Sequence, residues 1–402
     1  MIRSSKSWQA VAVAAVAGLV LSACGTTEDS GDDASGGGGS DAACDLQLAF
    51  FGPETGPAAG LGKPIIQGAQ LAVDQYNEDA DCAVELVNFD SQGSPDEAPA
   101  LATEVAGDET IIGVVGPAFS GESAAAGPIF AEAGVPTVTP SATNPALSEN
   151  GWDTFHRALG NDATQGPAAA SYIKDTLKAK KTYVIDDASE YGAGLAGIVQ
   201  DDLGASAVAG SDTIQVGDTD FSATVSKVVD SGADTVFFGG YYAEATILIG
   251  QLRDGGFEGT FVVADGVKDP AFLDAGDAAE GTIITCPCIP DTDPAVAEFA
   301  SAYEDEFGEA AGTYAAEAYD AATIALKAIE ETAKKGKVSR EDVSSAVRKA
   351  KLSGITGEIA FDAKGDRLKA QYFVLTVASD NPEKWGDNKI VKQLTIAPPA
   401  VK

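Results

Sequence analysis

The alternation of apolar and polar positions is most informative between residues 111 and 145. Ile111-Ile-Gly-Val-Val115 and Val135-Pro-Thr-Val138 are short apolar runs, rich in β-branched residues and bounded by Gly and Pro, as strands covered on both faces are. The Ala-rich stretch between them predicts a helix, so the segment reads as a parallel βαβ unit. A hydroxyl-bearing loop follows each strand: Gly116-Pro-Ala-Phe-Ser-Gly-Glu-Ser123 and Thr139-Pro-Ser-Ala-Thr-Asn-Pro145. In open α/β sheets ligands sit outside the carboxyl ends of the strands, so a binding site is expected around Ser120 and Thr143. Neither loop sets a nucleophile beside a base; together they suit the holding of a small polar ligand.

The same pattern continues on either side. Strands are predicted at 46–51, 83–87, 182–185, 235–238, 261–264 and 282–285, and Pro64 opens a predicted helix whose Ile65, Ala69, Ala72 and Tyr76 share one face. Helical patterns at 295–307, 314–334 and 340–349 come in succession, followed by short strands at 358–361 and 372–377. Strands alternating with helices give an α/β fold with doubly wound sheets. At 402 residues the chain exceeds what one core usually organises, so two domains are expected.

The amino terminus departs from this pattern. Arg3 and Lys6 precede an apolar run over 11–21, which is too short to span a bilayer and reads as the core of a signal peptide, residues 1–23. It ends in Leu21-Ser22-Ala23-Cys24, which resembles the lipobox of bacterial lipoproteins and implies a lipid on Cys24. Residues 24–43 are then a Gly/Ser/Asp tether without hydrophobic period. A flexible chain of that length reaches about 20–25 Å from the membrane.

Export makes disulfides plausible among the four remaining cysteines, for which three pairings are formally possible. Cys44 and Cys82 each precede a predicted strand, so neighbouring parallel strands would bring them together, leaving Cys286 to pair with Cys288. Redox chemistry of the second pair is the alternative. Charge and chemistry narrow the function by exclusion. With 61 acidic against 26 basic residues and a formal charge of −35, nucleic acid and anionic lipid are poor partners. The single histidine, His156, opposes histidine-based catalytic and metal sites, and no cofactor is expected. Gly192-Ala-Gly-Leu-Ala-Gly197 is nominally a dinucleotide fingerprint, but Asp187-Ala-Ser-Glu-Tyr191 separates it from its strand and no acidic partner follows at the right place, so close helix packing is the plainer explanation.

Gly52-Pro-Glu-Thr-Gly56 with Gly68-Ala69, Ser141-Ala-Thr-Asn-Pro145, Gln165-Gly-Pro167, Tyr191-Gly-Ala-Gly-Leu-Ala196, Asp220-Phe-Ser222 and Gly239-Gly-Tyr-Tyr-Ala-Glu244, in this order, resemble the leucine/isoleucine/valine-binding proteins of ATP-driven importers. The resemblance implies the type I periplasmic-binding fold: two similar α/β lobes, 44–160 plus 289–367 and 161–288 plus 368–402, joined by three crossing segments. It implies a monomer that closes on an amino acid, performs no chemistry on it and hands it to the membrane subunits of an ABC permease. Carried over, it puts the ligand carboxylate at Ser120 and Thr143, the ammonium at the Ser141 carbonyl, the Thr143 hydroxyl and Asp265, and closing side chains at Tyr191 and Tyr241. No other acidic residue is expected in that site. Several positions depart from the family pattern and bear on side-chain preference: Leu61 in place of an aromatic, Phe119 in place of a small residue, Asp265 in place of glutamate, and Tyr314 in place of an apolar aromatic. A binding module for amides or urea on the same fold, and an exported oxidoreductase using Gly192 to Gly197, are the alternatives.

Overall fold

The computed structural model describes residues 46–336 and 338–396; the expected signal peptide, Cys24, the tether and Cys44 lie outside the described residues. The first sheet is built by β1 (Leu46–Gly52), β2 (Val84–Asp90), β3 (Ile111–Val115), β4 (Thr137–Thr139) and β5 (Phe155–Arg157). Its first three connections are α1 (Ala59–Asn77), α2 (Ala98–Gly107) and α3 (Ser120–Ala133). All pairs are parallel, in the order β2-β1-β3-β4-β5.

Helix α4 (Asp162–Ser171) leads to the second sheet, with β6 (Thr182–Asp186), β7 (Val208–Thr213), β8 (Thr235–Gly239), β9 (Thr260–Val263) and β10 (Ile283–Cys286). Helices α5 (Glu190–Leu203), α6 (Ser222–Ser231) and α7 (Tyr242–Asp254) connect them. The order β7-β6-β8-β9-β10 repeats that of the first sheet. The chain then returns to the first lobe as α8 (Ala297–Phe307), α9 (Ala315–Ala333), α10 (Arg340–Arg348) and the hairpin β11 (Lys351–Gly354) and β12 (Gly357–Ala360). Finally β13 (Ala370–Thr376) and β14 (Lys389–Ile396) extend the second sheet antiparallel beside β10.

Both sheets are covered on both faces, which is why their central strands are continuous apolar runs. In the first lobe Ala49, Phe51 and Val114 face Ala102, Val105 and Phe130 of α2 and α3, while Leu48, Ile112 and Val115 face Val73 of α1 and Leu326 and Ile329 of α9. Each such side chain contributes about 1.5–3 kcal/mol on full burial. Helices α1 and α9 meet through small residues: a Cβ on Gly68 would lie 2.1 Å from the Ala315 carbonyl oxygen, so only glycine permits this approach.

Pro64 does not open α1 as expected; the helix begins at Ala59 and Pro64 lies inside it. The glycine repeat of α5 serves packing. A Cβ on Gly192 would fall 2.2 Å from Asp187 Oδ1 and one on Gly194 would fall 2.8 Å from Asn144 Nδ2, a residue of the opposite lobe. Cys286 and Cys288 are bonded to each other where the chain leaves β10. Cys82 is also disulfide-bonded, and the register places its strand beside β1, Leu46 against Val84.

Candidate ligand-binding site

In each sheet the winding reverses beside the first strand, between β1 and β3 and again between β6 and β8, which opens a crevice beyond the carboxyl ends of the strands. The loops from both crevices meet. Phe119, Ser120, Ser141, Tyr191, Tyr241, Asp265, Gly266 and Tyr314 line one small cavity of about 10 Å³, room for no more than about one water. An amino acid therefore enters only if these walls part. Outside the cavity lies a wide cleft of about 850 Å³ between the lobes, and Phe119 and Tyr241, with rings 4.7 Å apart, border both.

The first-lobe wall is fixed by hydrogen bonds between its two loops. Ser141 Oγ donates to the Ala118 carbonyl at 2.6 Å and Thr139 Oγ1 to the Pro117 carbonyl at 2.7 Å. Ser120 is the first residue of α3, not its cap. Its hydroxyl oxygen accepts from the Asn144 backbone N–H at 3.2 Å, which leaves the hydroxyl hydrogen uncommitted. Beneath it Glu122, fully buried, accepts from the Phe119 N–H at 2.7 Å and from the Ser91 hydroxyl, and burial pushes its carboxyl up to about 8. Arg157 secures the other loop from below, with Nη1 on the carbonyls of Ala142 (2.7 Å) and Asn144 (3.1 Å), Nη2 on Ser148 Oγ and Nε on Asp366 (2.8 Å).

Asp265, 1% exposed just beyond β9, is the polar centre of the opposite wall. Its Oδ1 accepts from Gln165 Nε2 at 2.6 Å and from the Tyr191 hydroxyl at 2.8 Å, and its Oδ2 accepts from the Tyr314 hydroxyl. Burial raises its carboxyl above the usual carboxylate range, against the pull of these donors. Tyr314 reaches it from a left-handed backbone, φ 69°, at the start of α9. A non-glycine residue held there stores about 1–3 kcal/mol of strain, which marks functional positions. The hydroxyls of Tyr191, Tyr241 and Tyr314 are raised well above their ordinary range by burial, so all three stay neutral.

Of the positions singled out in the sequence, Phe119, Ser120, Ser141, Tyr191, Tyr241, Asp265 and Tyr314 come together in this way. Thr143 lies buried one layer deeper, its hydroxyl donated to Asp162 at 3.1 Å. Leu61 packs in the same core cluster as Phe119 and Tyr314 but does not line the cavity. Among the described residues Asp265 is the one acidic side chain that lines the cavity; Asp162 lies behind Thr143, entirely buried, and its carboxyl is raised well above the carboxylate range by burial and then by the charge of Asp265. Two further residues were missed. Gln165 joins Asp265 to the Thr285 carbonyl, and Asn144 reaches across the lobes to the Glu190 carbonyl at 2.6 Å. Gln165 and Asn144 stand inside motifs already visible, and partners distant in sequence decide their part.

Two lobes of the same strand order, joined by three crossings and meeting at a small cavity lined by Ser120, Ser141, Asp265 and three tyrosines, have the architecture of a two-lobed solute-binding protein. Residues 45–382 match the periplasmic binding protein family, to which this chain belongs. The leucine-, isoleucine-, valine-, threonine- and alanine-binding protein of Pseudomonas aeruginosa is 34% identical over 81% of this chain and 88% of its own. The leucine-binding protein LivK of Thermotoga maritima superposes with a TM-score of 0.79 at 28% identity, over 89% of this chain and 100% of its own. LivJ of Streptococcus pneumoniae, in complex with isoleucine, gives 0.77 at 28% identity, over 88% of this chain and 99% of its own. The fold is thus the type I periplasmic-binding fold.

Proposed function

We propose that this protein is an extracytoplasmic lipoprotein that captures a zwitterionic aliphatic L-amino acid between its lobes and delivers it to an ABC permease. The observation that carries this reading is the opposed polarity of the cavity. On one side Ser120 keeps a free hydroxyl hydrogen at the start of α3, where a carboxylate is favoured. On the other, Asp265 offers a carboxylate with no basic residue on the wall to neutralise it. The names of the P. aeruginosa and S. pneumoniae relatives support the ligand class. Phe119 and Tyr241 supply the apolar side, and the Tyr314 hydroxyl is committed to Asp265. The lobe limits we assign are 44–160 with 289–367 and 161–288 with 368–402, supported by the packing of α9 on α1, β3 and β4 and by the joining of β13 and β14 to the second sheet.

Delivery rests on the anchor expected at Cys24, which would hold the protein at the outer face of the cytoplasmic membrane. No helix among the described residues is long and apolar enough to cross a membrane. Calorimetry against leucine, isoleucine, valine, urea and simple amides tests the reading. One-to-one binding of at least one branched-chain amino acid is expected, with no heat from ligands that lack an ammonium group. Binding of urea or an amide, with silence from every amino acid, would reverse the assignment.

A further inference from the structure

The glycine repeat Gly192-Ala-Gly-Leu-Ala-Gly197 has no part in the reading just given, on which this inference rests, and its three glycines stand in three different surroundings. A Cβ on Gly192 would meet Asp187 Oδ1 and the Gly239 carbonyl of its own lobe, 2.2 and 2.5 Å away, while one on Gly197 would meet nothing within 4 Å. A Cβ on Gly194 would meet Asn144 of the other lobe, with Nδ2 at 2.8 Å and Cγ at 3.5 Å. The Asn144 amide is seated there: Nδ2 donates to the Glu190 carbonyl at 2.6 Å, Oδ1 accepts from the Ala146 N–H at 2.9 Å, and only 8% of the residue is exposed. The backbone N–H of Asn144 in turn donates to Ser120 Oγ, so the loop that reaches across also holds a hydroxyl of the cavity.

A reciprocal arrangement occurs on α1, which follows β1 as α5 follows β6. Gly60, near the start of α1, donates its N–H to the Tyr242 hydroxyl oxygen at 3.3 Å. A Cβ there would lie 2.9 Å from that oxygen and 2.5 Å from Asp269 Oδ2. Each lobe thus offers a glycine on one helix, and each glycine receives a polar side chain from the other lobe. Neither Asn144 nor Tyr242 lines the cavity.

We propose that these contacts form a reciprocal latch: Asn144 against Gly194 and Tyr242 against Gly60 hold the lobes shut and set how long a bound amino acid is retained, without touching it. Contacts that favour the closed state without involving the ligand act on opening, so weakening them speeds release and leaves encounter with the open cleft unchanged. A methyl group on either glycine displaces the side chain seated there and removes a hydrogen bond between the lobes, worth roughly 2–10-fold in the closing equilibrium. Alanine is the better helix former, so Gly194→Ala does not weaken its own lobe.

Stopped-flow binding of leucine, isoleucine and valine reads association and release separately. Gly194→Ala and Gly60→Ala should each release the amino acid roughly 2–10-fold faster with association unchanged. Ligand-free Gly194→Ala should melt no lower than wild type, and Gly197→Ala, in the same helix, should keep the wild-type rates. In X-ray scattering the ligand-free Gly60→Ala/Gly194→Ala double variant should have a larger radius of gyration than wild type, because the latch acts before any ligand arrives. Wild-type release from both single variants, or faster release shared by Gly197→Ala, overturns the latch and leaves the amino-acid reading intact. Silence with every amino acid overturns that reading instead, and scattering then decides the latch alone: equal radii for the double variant and wild type overturn it.

Discussion

Replacing Asp265 by asparagine separates the contribution of its charge from that of its shape. The carboxylate is buried and accepts from Gln165, Tyr191 and Tyr314. An asparagine Oδ1 keeps the first two of these, and its amide can donate to the Tyr314 oxygen once that hydroxyl turns, so the local packing survives. What disappears is the negative charge opposite the ligand ammonium. Removing one partner of a desolvated charge pair costs on the order of 2–5 kcal/mol, which corresponds to a loss of roughly 30-fold or more in affinity. Stability moves differently. A carboxyl whose folded-state titration is raised contributes stability at low pH and loses it as pH rises through the folded value. The ligand-free Asp265→Asn protein, which never ionises there, should therefore gain on wild type as pH rises from the ordinary carboxylate range through the folded value. Calorimetry with leucine, paired with ligand-free melting curves at several pH values, reads both quantities. A variant that binds normally but melts well below wild type would refute the reasoning, because Asp265 would then be a structural turn residue.

Glu122→Gln keeps the Phe119 N–H bond through its Oε1 and can donate to Ser91 once that hydroxyl turns; burial pushes the wild-type carboxyl up to about 8 from 4.5, so wild type should lose a few kcal/mol of stability between those limits while the variant stays flat. Urea unfolding at several pH values checks this, and parallel slopes for the two proteins would count against it. Arg157→Met leaves Asp366 and two loop carbonyls without their buried partner, for an expected loss of about 3–5 kcal/mol in urea unfolding and weaker leucine binding. A variant as stable as wild type would show that water replaces the guanidinium. The β1–β2 offset that pairs residue 46 with 84 also matches 44 to 82, so peptide mapping of the non-reduced protein should recover Cys44 linked to Cys82. A Cys82 link to any other cysteine would dispose of that pairing.

The parts of the fold legible in the sequence are those whose burial is uniform. Ile111–Val115 is buried at every position, and its apolar run says so. Strand β7 was not foreseen because it lies at the sheet edge, is only partly buried and reads Val-Ala-Gly-Ser-Asp-Thr. Strand β5 is Phe-His-Arg, and its arginine is buried because it finds Asp366, distant in sequence, and the carbonyls of Ala142 and Asn144, an arrangement no local pattern encodes. In the site, Ser120 and Asp265 were legible as polar residues just beyond buried strands. Asp162 was not, since an aspartate in the first turn of a helix is an ordinary surface feature and only tertiary structure buries it. The inward reach of Tyr314 depends on a left-handed backbone that its residue type does not advertise.

The return of the chain to its first lobe bears on when that lobe can fold. Helix α9 covers one face of β3 and β4, Arg340 bonds the carbonyls of Ile111 and Ala106, and Arg367 bonds the Ala158 carbonyl. As the chain is made, β1 to β5 emerge with one apolar face covered only in part, by α1, and the rest of its cover, α9, arrives only after the whole second sheet core has been made. Contacts so distant in sequence form slowly, and a partly bare sheet face is prone to aggregate while it waits. The amino-terminal half therefore has no self-sufficient native state to reach early. The same interleaving that ties the two lobes together at three crossings keeps the first from completing its core until almost the whole chain has been made.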